Sequence, residues 1–494
     1  MLPGGLMRPC DSAGFVLLPA RAAGAAAFLA LHVAMVAAAS GQELIRDTDR
    51  IDITGRQNLT LGSGARAYGM GGAFLARADD ATAASWNPAG LSYLRVPEVS
   101  LVGVSNSFDT ERGVDYDRFD GKAIDFAAFT SPVTLGQASG AVQVSYQRAI
   151  SFDGDRSLQA TSPETKWTEE ITSDGGFDVV AFGTGLRLTR HLRAGFTVNR
   201  WLGGYDQVLT RRYVTPNRRP VREFDLDFRP RGWSFNFGAI VSPVEPLNLA
   251  FAYKTPFTAD TRLDKARRDY WYTNETTLED VTRNGHVSDA VRLEFPSSLG
   301  FGVSWRPLDT LTLSADFTRT SWSEARIQNY FDLEKTEIGT EAVPPPPNIY
   351  PNFQYPTLRV VPDPADPDDP ARLLGQQDAD QIRVGVEWIL IKGRLKMPLR
   401  AGYFTDRQIT PNPTGDIPRF NGFTVGTGLI LGPMLLDVAY VHESGEYFVA
   451  AEAAGGGEFD RPPTTEPPPS VRNVLNTNRV FASVIYRFSG RWRP

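Results

Sequence analysis

The sequence predicts an all-β protein, a transmembrane antiparallel β-barrel of about 14 strands with an N-terminal hatch, or plug, segment in its lumen. Three features support this prediction. Segments of about ten residues alternate apolar with polar or small side chains, which is the length at which a tilted strand crosses a bilayer. The linkers between these segments are alternately short and long, and a glycine-containing segment without alternation precedes the first of them.

The chain begins with a segment typical of a cleaved signal peptide. A weakly polar stretch over residues 22–40 follows two arginines and ends in small residues, just before the expected cut at Gly41. A short buried helix is the alternative interpretation. The expected division of the chain is a signal peptide over residues 1–40, a hatch over 41–95, the barrel over 96–488 and a C-terminal tail over 489–494.

Composition excludes several classes of protein. The only cysteine, Cys10, precedes the expected cut, so the mature chain would hold no disulfide and no thiolate metal site, and we expect neither metal nor cofactor. The basic residues are scattered rather than clustered, which argues against a nucleic-acid partner. After Ser40 no apolar run of about 18 residues occurs, so a membrane-spanning form must use strands.

The alternating segments are the main evidence for a barrel. In one of them Leu311, Leu313 and Phe317 fall on one face of a strand and polar residues fall on the other. Fourteen such segments occur, an even number, as bacterial barrels require. They lie near 97–108, 121–132, 137–149, 176–190, 192–204, 231–242, 247–258, 296–306, 310–322, 379–392, 396–408, 419–431, 433–444 and 477–488.

The linkers support the same fold. Short ones, such as 133–136 and 393–395, alternate with long ones, such as 205–231, 259–295 and 323–379. Short periplasmic turns and long outer loops produce this asymmetry. The alternative, a soluble β-sandwich or propeller, gives no reason for every second connection to be long.

Two weaker signals concern the ends of the strands and the longest loop. Aromatic residues near segment ends would form the girdles of a membrane barrel, although strands favour aromatics in any case: Trp201, Tyr205, Trp305, Trp322, Trp388 and Tyr403. The acidic, proline-rich loop over 343–370 is expected to stay extended and solvated. Binding of a divalent cation that bridges lipopolysaccharide is the alternative role of its aspartates.

The segment over residues 59–91 does not alternate and is not a spanning strand. Gly69, Gly71 and Gly72 allow backbone angles and close approaches that other residues resist. Asp79 or Asp80 can cap a short helix over Ala81–Ser85, which Asn87–Pro88 would end. A compact plug fits here because a barrel of this size leaves a lumen to be closed. An ordinary periplasmic lead-in is the alternative.

The same segment carries a resemblance to a known family. Residues 69–74 (GMGGAF), 79–82 (DDAT) and 87–91 (NPAGL), with weaker echoes at 296–300 and 399–402, resemble the FadL/TodX family of outer-membrane transporters of long-chain fatty acids and aromatic hydrocarbons. The resemblance implies a 14-stranded barrel with a hatch that an apolar ligand displaces. It assigns hatch or gating roles to Gly69, Gly71, Gly72, Asp79, Asp80, Asn87, Pro88 and Ala89.

The resemblance also implies a path for the ligand. In the family the ligand can leave sideways where the third strand is kinked, and Gly140 would permit a kink here. A ligand carboxylate should meet an inward cation. Strand parity turns Arg193, Lys254, Arg383 and Arg400 toward the lumen as candidates for this contact. Parity also turns acidic residues inward, so salt-bridge networks that stiffen the wall are the alternative: Asp125, Asp316, Glu387 and Asp437.

The function implied by the resemblance is uptake of long-chain fatty acids or other small hydrophobic compounds across the bacterial outer membrane. The expected partners are that small molecule, outer-membrane lipid and lipopolysaccharide, and the barrel-assembly machinery during biogenesis. A PorV-like barrel that serves as a secretion or surface-anchoring scaffold is the alternative, and a general porin is a further one. No enzyme is expected, because only His191, His286 and His442 follow the expected signal peptide and no nucleophile, base or metal motif appears.

Overall fold

The computed structural model describes residues 62–112, 115–151, 154–161, 166–214, 219–274, 277–328, 337–338, 371–373, 378–393, 395–408, 417–450 and 470–488. The predicted signal peptide over 1–40, the first part of the predicted hatch over 41–61, the acidic loop over 343–370 and the tail over 489–494 lie outside the described residues.

Strands make up most of the described chain. Two short α-helices, α1 (Ala65–Gly69) and α2 (Ala83–Trp86), and a 3₁₀ helix (Pro88–Tyr93) precede the first strand, and a second 3₁₀ helix (Trp322–Glu324) follows β12. The strands are β1 (Glu98–Arg112), β2 (Asp115–Leu135), β3 (Ala138–Ser151), β4 (Gly154–Thr161), β5 (Lys166–Arg187), β6 (Leu192–Val214), β7 (Arg219–Val244), β8 (Leu247–Lys254), β9 (Phe257–Asn274), β10 (Thr277–Phe295), β11 (Ser298–Leu308), β12 (Leu311–Thr320), β13 (Arg326–Gln328), β14 (Glu337–Ile338), β15 (Ala371–Leu373), β16 (Ala379–Lys392), β17 (Leu395–Arg407), β18 (Arg419–Leu431), β19 (Met434–Ala450) and β20 (Ser470–Arg487).

Fourteen of these strands close into a barrel, which confirms the predicted fold. Each pairs antiparallel with its two neighbours around the ring, and β1 pairs with β20 from Glu98↔Arg487 onward to close it. Closure leaves no free edge, so all backbone groups of the wall can be paired without water. The wall strands are β1, β2, β3, β5, β6, β7, β8, β11, β12, β16, β17, β18, β19 and β20.

Each of the fourteen predicted segments overlaps one wall strand, but several of the long linkers were wrongly expected to be loops in the parts that the structure describes. Between β6 and β7 the pairing resumes at Tyr205↔Phe228 and continues to Arg212↔Val221, inside the predicted loop 205–231. Most of the predicted loop 259–295 is the hairpin of β9 and β10, which extends the wall beside β7. Backbone pairing does not require apolar side chains, so strands continue where the alternation of the spanning segments ends.

The two faces of the wall differ as a membrane barrel requires. The side chains of Val425, Phe317 and Ile382 point outward and are 51%, 40% and 47% exposed, as are many apolar residues around the ring. Inward residues of the same strands, such as Asp316 and Thr424, are buried and polar. Soluble monomers rarely expose an apolar belt of this extent, so the outer face is the lipid-facing surface of a transmembrane barrel. None of the helices in the described residues is long and apolar enough to cross a membrane.

The two ends of the barrel are distinguished by their connections. At one end, here called the short-turn end, glycines with positive φ such as Gly136, Gly393 and Gly432 form tight turns. The other, here called the long-connection end, carries the extended hairpins. The two N-terminal α-helices lie ahead of the wall in sequence, and the chain enters β1 at the short-turn end, beside the end of β20.

The aromatic residues divide between the two faces. Trp305, Trp388 and Tyr403 point outward and are about half exposed, as a girdle requires. Trp201 and Trp322 were wrongly assigned to the girdles, because both line a cavity inside the barrel. Trp201 has the same parity on β6 as the lumen-facing Arg193, so alternation already turned it inward, and position near the end of a segment is not enough to assign a residue to a girdle.

The third wall strand is regular at the residue proposed for a kink. Gly140 pairs with Val133 on β2 and with Leu186 on β5 without interruption. The irregularity of β3 lies instead between Arg148 and Ile150, where its pairing with β5 shifts by one residue. An added Cβ at Gly140 would lie 1.8 Å from the Gly185 carbonyl oxygen, so close approach of backbones explains this glycine.

Val425→Arg should destabilise the barrel by about 2–4 kcal/mol, because it places a charge in mid-belt on the lipid face. Leu431→Arg, at the end of the same strand on the same face and 47% exposed, is the matched control and should cost about 0–1 kcal/mol. Urea unfolding in lipid vesicles measures both. Equal losses for the two variants would contradict the assignment of this face to lipid.

Candidate functional site

The described part of the predicted hatch, residues 62–94, lies inside the barrel and is here called the plug. Its apolar residues are almost completely buried; Ala67, Met70 and Phe74 are 0% exposed. Tyr68 stacks on Phe481 of the wall with ring centroids 4.1 Å apart. The plug therefore packs against the inner face of the sheet as a core does in a soluble protein.

A buried charge network ties the plug to the wall. Glu387 of β16 accepts two hydrogen bonds from Arg66 of the plug, each 3.1 Å long, and one of 3.2 Å from Arg77. On the wall, Arg400 donates to Glu387 at 2.8 Å and to Asp437 at 2.6 Å. The Glu387 carboxylate therefore pairs with three arginines, two from the plug and one from the wall.

The plug supplies its own acids to the same network. Asp79 accepts a 2.6 Å hydrogen bond from Arg66 and also pairs with Arg77. Asp80 lies 3.5 Å from Arg66. Burial acts to lower the pKa of Arg66, but the carboxylates of Glu387 and Asp80 outweigh it and raise that pKa above its ordinary value. Arg66 is therefore charged at every relevant pH.

Wall side chains also bind the plug backbone. Asp316 accepts hydrogen bonds from the N–H groups of Phe74 and Leu75 at 2.6 and 2.8 Å. The Thr424 hydroxyl accepts from the Gly71 N–H at 2.9 Å and donates to the Gly69 carbonyl at 3.1 Å. These contacts satisfy polar groups of an irregular segment that is excluded from water.

Arg383 links this segment to a second ion pair. Its guanidinium donates to the Gly71 carbonyl at 3.0 Å and to both carboxylate oxygens of Asp406 at 2.8 Å. Gly71 and Gly72 have φ values of 69° and 75°, which confirms the expected need for glycine at both. A side chain at Gly72 would also meet Arg383 and Trp86.

Asn87 is the most fully hydrogen-bonded residue of the motif at 87–91. Its amide nitrogen lies 3.1 Å from the Leu75 carbonyl oxygen and 3.3 Å from those of Ala239 and Phe251 on the wall. Its side-chain oxygen accepts from the Ala89 N–H at 3.1 Å and so caps the 3₁₀ helix, in which Pro88 is the first residue. Asn87 therefore joins two parts of the plug to two wall strands.

The helix before this motif is shifted from its expected position. It runs over Ala83–Trp86 rather than Ala81–Ser85, and no side chain caps it. Asp80 instead accepts from the backbone N–H and the hydroxyl of Thr82, at 2.9 and 2.7 Å, and forms a turn ahead of the helix. Asp80 therefore binds Thr82 and Arg66 and does not cap the helix.

Two glycine troughs in the wall receive the plug, and sequence reasoning missed both. An added Cβ at Gly402 would lie 2.2 Å from the Gly71 nitrogen, and one at Gly195 would lie 2.4 Å from the Pro88 carbonyl carbon. Only glycine permits backbones to approach this closely. The troughs consist of Gly385, Gly402 and Gly426 beneath Gly69–Gly71, and of Gly185, Gly195 and Gly238 beneath Asn87–Pro88.

A cavity of about 70 Å³ lies against the plug on the side of the long-connection end. Ala84 and Ser85 of α2 form part of its lining, as do Lys254 and Thr320, the last residues of β8 and β12. Its apolar part is aromatic. The rings of Trp201, Phe257 and Phe295 are mutually stacked at centroid distances of 4.6, 4.7 and 6.1 Å, and Trp322 lies beside them.

The polar groups of the cavity are few and specific. The Lys254 ammonium donates to the Ser85 carbonyl of the plug at 3.3 Å. Trp201 donates to the Ser234 hydroxyl at 2.9 Å. The Trp322 ring is 2% exposed, and its N–H has no acceptor among the described residues. An apolar site with a few convergent polar groups is the usual form of a small-molecule site.

The four lumen-facing cations have three different surroundings. Lys254 alone lines the cavity. Arg383 and Arg400 are buried in ion pairs, as the alternative of wall salt bridges predicted. Arg193 lies at the short-turn end, 4.1 Å above the Tyr93 ring. Sequence parity turned all four inward but did not separate these surroundings, since it carries no information on height or on partners.

These features define a transmembrane β-barrel whose lumen is occupied by an N-terminal plug, and this architecture fits the outer membrane. A family model described as BamG matches residues 58–348. That match covers more than half of the chain, and the chain belongs to the BamG family. No curated protein sequence matches the chain.

Solved structures with the same fold include a FadL homologue and two toluene transporters. A Pseudomonas aeruginosa FadL homologue is 14% identical over 86% of this chain and 98% of its own, with a TM-score of 0.53. The Ralstonia pickettii toluene transporter TbuX is 13% identical over 87% of this chain and 100% of its own, with a TM-score of 0.51. The Pseudomonas putida toluene transporter TodX is 13% identical over 87% of this chain and 98% of its own, with a TM-score of 0.50. At these identities the likeness shows the fold.

Glu387→Gln should loosen the plug and leave the barrel closed. The change leaves the arginines at 66, 77 and 400 short of one carboxylate, and breaking a buried ion pair costs about 3–5 kcal/mol. Trypsin should then cut after Arg66 or Arg77 while heat-dependent gel migration of the barrel stays unchanged. The control is Glu446→Gln, which removes only a solvent-exposed pair with Arg472 and should leave the plug protected. A plug that stays protected in Glu387→Gln would contradict the network's anchoring role.

Proposed function

We propose that this protein takes up small hydrophobic compounds, long-chain fatty acids among them, across the outer membrane, with the plug as its gate. The observation that carries the proposal is the cavity between the plug and the long-connection end, where stacked aromatic rings adjoin the Lys254 ammonium. A bound ligand would sit directly on the plug. The class of ligand is therefore an amphiphile with an apolar body and one anionic group.

The aromatic lining would bind the apolar part of the ligand. Burial of apolar surface contributes roughly 25 cal/mol for each Å² removed from water, which amounts to several kcal/mol for a fatty tail. The rings of Trp201, Phe257 and Phe295 offer flat apolar faces to such a tail. The N–H of Trp322, which has no acceptor among the described residues, can donate to an oxygen of the head group.

The volume of the cavity indicates that the plug must move. A cavity of roughly 150 Å³ holds benzene, so the space of about 70 Å³ seen here must widen to admit even one aromatic ring. The wall is a closed hydrogen-bonded sheet and resists widening. Helix α2, which contributes Ala84 and Ser85, is the part of the lining that belongs to the plug.

Lys254 connects ligand binding to that movement. Its ammonium donates to the Ser85 carbonyl at the C-terminal half of α2. A ligand carboxylate would compete for the ammonium, because a charge-assisted hydrogen bond is stronger than one to a neutral carbonyl. Binding would then release one contact between α2 and the wall. The residues at 69, 71, 72, 79, 80, 87, 88 and 89 hold the rest of the plug and set how far it can shift.

The names of the structural relatives favour the same function. They include two toluene transporters and a FadL homologue, and none of the three is named as an enzyme. We infer that this chain is likewise not an enzyme, that outer-membrane lipid contacts its apolar belt and lipopolysaccharide its outer hairpins, and that the barrel-assembly machinery inserts it. Residues 479–487 form the C-terminal half of β20, the last wall strand, where such recognition is expected.

A second candidate function rests on the family match. The family name BamG hints at the barrel-assembly machinery, and a barrel that serves as an assembly or secretion scaffold has no need of an open lumen. The plug held by Glu387, Asp316 and Asn87 is compatible with this role. The scaffold predicts no uptake of any ligand, which separates it from the first candidate.

Lys254→Met should lower uptake of labelled oleate about tenfold or more in a transport-deficient host, because a hydrogen bond to a charged group is worth about 1.5–3 kcal/mol. Uptake of oleyl alcohol, which lacks the carboxylate, should not change. Lys396→Met, an exposed lysine at the short-turn end, is the matched control. Equal loss for both ligands would contradict the role of Lys254. No uptake of either ligand by the wild type would contradict transport and favour the scaffold.

Joint replacement of Asn87 and Pro88 by alanine should change the uptake rate without unfolding the barrel. The double variant removes hydrogen bonds from the plug to Ala239 and Phe251, yet leaves every strand pairing intact. Heat-dependent gel migration checks the barrel, and labelled oleate uptake checks the gate. Unaltered uptake in the double variant would remove the gating role from this motif.

A further inference from the structure

Three arginines meet at the short-turn end of the barrel, next to the end of the plug. Arg187 on β5 and Arg193 on β6 are direct cross-strand partners on the lumen face. Ser139 on β3 is the partner of Arg187 on its other side, and the Arg95 guanidinium donates to the Ser139 hydroxyl at 3.2 Å. The three charges therefore lie in one row across β3, β5 and β6, and this group is here called the arginine row.

Neutral groups hold the arginine row in place. The Arg193 guanidinium carbon lies 4.1 Å from the centre of the Tyr93 ring, and one of its terminal nitrogens donates to the Ser242 hydroxyl at 3.2 Å. Arg187 donates to the Thr189 carbonyl at 3.3 Å. Stacking on tyrosine and hydrogen bonds to neutral oxygens orient a guanidinium without neutralising it.

The positive charge of the row has no counterpart in the described part of the chain. No carboxylate pairs with any of its members there, whereas Arg400 has two. Arg187 and Arg95 both repel Arg193, and the Tyr93 side chain acts in the opposite direction. Its Nε is also buried with no acceptor among the described residues. Like charges directly opposed on neighbouring strands destabilise a sheet, so the row opposes folding unless an anion occupies it.

We propose that the arginine row is a binding site for a phosphate group. Guanidinium groups are planar donors that match phosphate oxygens bidentately, and a phosphate offers more acceptor oxygens and more charge than a carboxylate to three such donors. The row lies at the rim of the barrel, next to Tyr93, where the plug chain leaves the lumen. It is far along the strands from the cavity, so this site is independent of the uptake of hydrophobic compounds.

The phosphate group has two sources at this position. The head group of a phospholipid in the adjacent leaflet reaches the rim from the membrane, and free phosphate reaches it from the aqueous side. Both offer the same oxygens to Arg187 and Arg193. Two probes separate them: a short-chain phosphatidic acid and inorganic phosphate.

The first test measures binding of each probe to the detergent-purified protein by isothermal titration calorimetry. The variant Arg187→Gln/Arg193→Gln should bind at least about tenfold more weakly, since hydrogen bonds to charged groups are worth about that factor each. The matched control is Arg200→Gln, an arginine of β6 that stacks on Trp233. Tight binding of phosphatidic acid alone identifies the lipid source, and binding of both probes with similar affinity identifies free phosphate.

Three outcomes would overturn the proposal. Neither probe binds the wild type, or the double variant binds both as tightly as the wild type does. Alternatively, dodecanoate binds as tightly as phosphatidic acid and this binding is lost in the double variant, in which case the row does not distinguish phosphate from carboxylate; dodecanoate held in the cavity at Lys254 would bind the double variant unchanged.

A second measurement guards against a variant that merely misfolds. In buffer free of phosphate and of anionic lipid, the single variant Arg187→Gln should unfold at the same or a higher temperature than the wild type, because it relieves repulsion from Arg193. Added phosphatidic acid should then raise the unfolding temperature of the wild type more than that of the variant. A lower unfolding temperature for Arg187→Gln without anion would mean that the charge stabilises the barrel by itself, and the proposal would fail.

Discussion

The requirement that every backbone polar group be paired in lipid determines the rest of this structure. Fourteen strands meet it by closing on themselves, from Glu98↔Arg487 around the ring. Closure at this strand number leaves a lumen that wall side chains alone do not fill. The plug fills it, and because the plug has little regular structure, its own backbone groups need partners as well. Asp316, Thr424 and Asn87 supply them from the wall and from the plug itself.

The buried charged side chains of the plug form one network with β16 and are not spread evenly through the segment. Arg66 and Arg77 are balanced by acids of the plug and of β16, so removal of one partner leaves several charges uncompensated. Such an arrangement holds the plug in a single position yet depends on few atoms. The network acts together with the buried apolar contacts of the plug and its backbone hydrogen bonds to the wall, so displacement of the plug must disrupt all three.

Membership in the BamG family rests on the sequence, whereas the likeness to FadL-type structures rests on the fold. The fold is common to transporters of hydrophobic compounds and to this chain at identities of 13–14%. Function resides in sites rather than in folds. The aromatic cavity on the plug is the observation on which the proposal of uptake rests, because a scaffold gives no reason for stacked rings beside the Lys254 ammonium.

The sequence by itself determined the number of wall strands, their faces and the presence of a plug, because a period of two and alternating linker lengths are local properties of the chain. The tertiary structure decided what those local rules do not encode. It showed that Gly402 and Gly195 are glycines because plug backbone touches them, that Trp201 lines a cavity beside the plug, and that Arg400 is paired while Arg187 opposes another arginine. Each of these depends on which residues lie at the same height across neighbouring strands, and register is set by the assembled sheet rather than by any one segment.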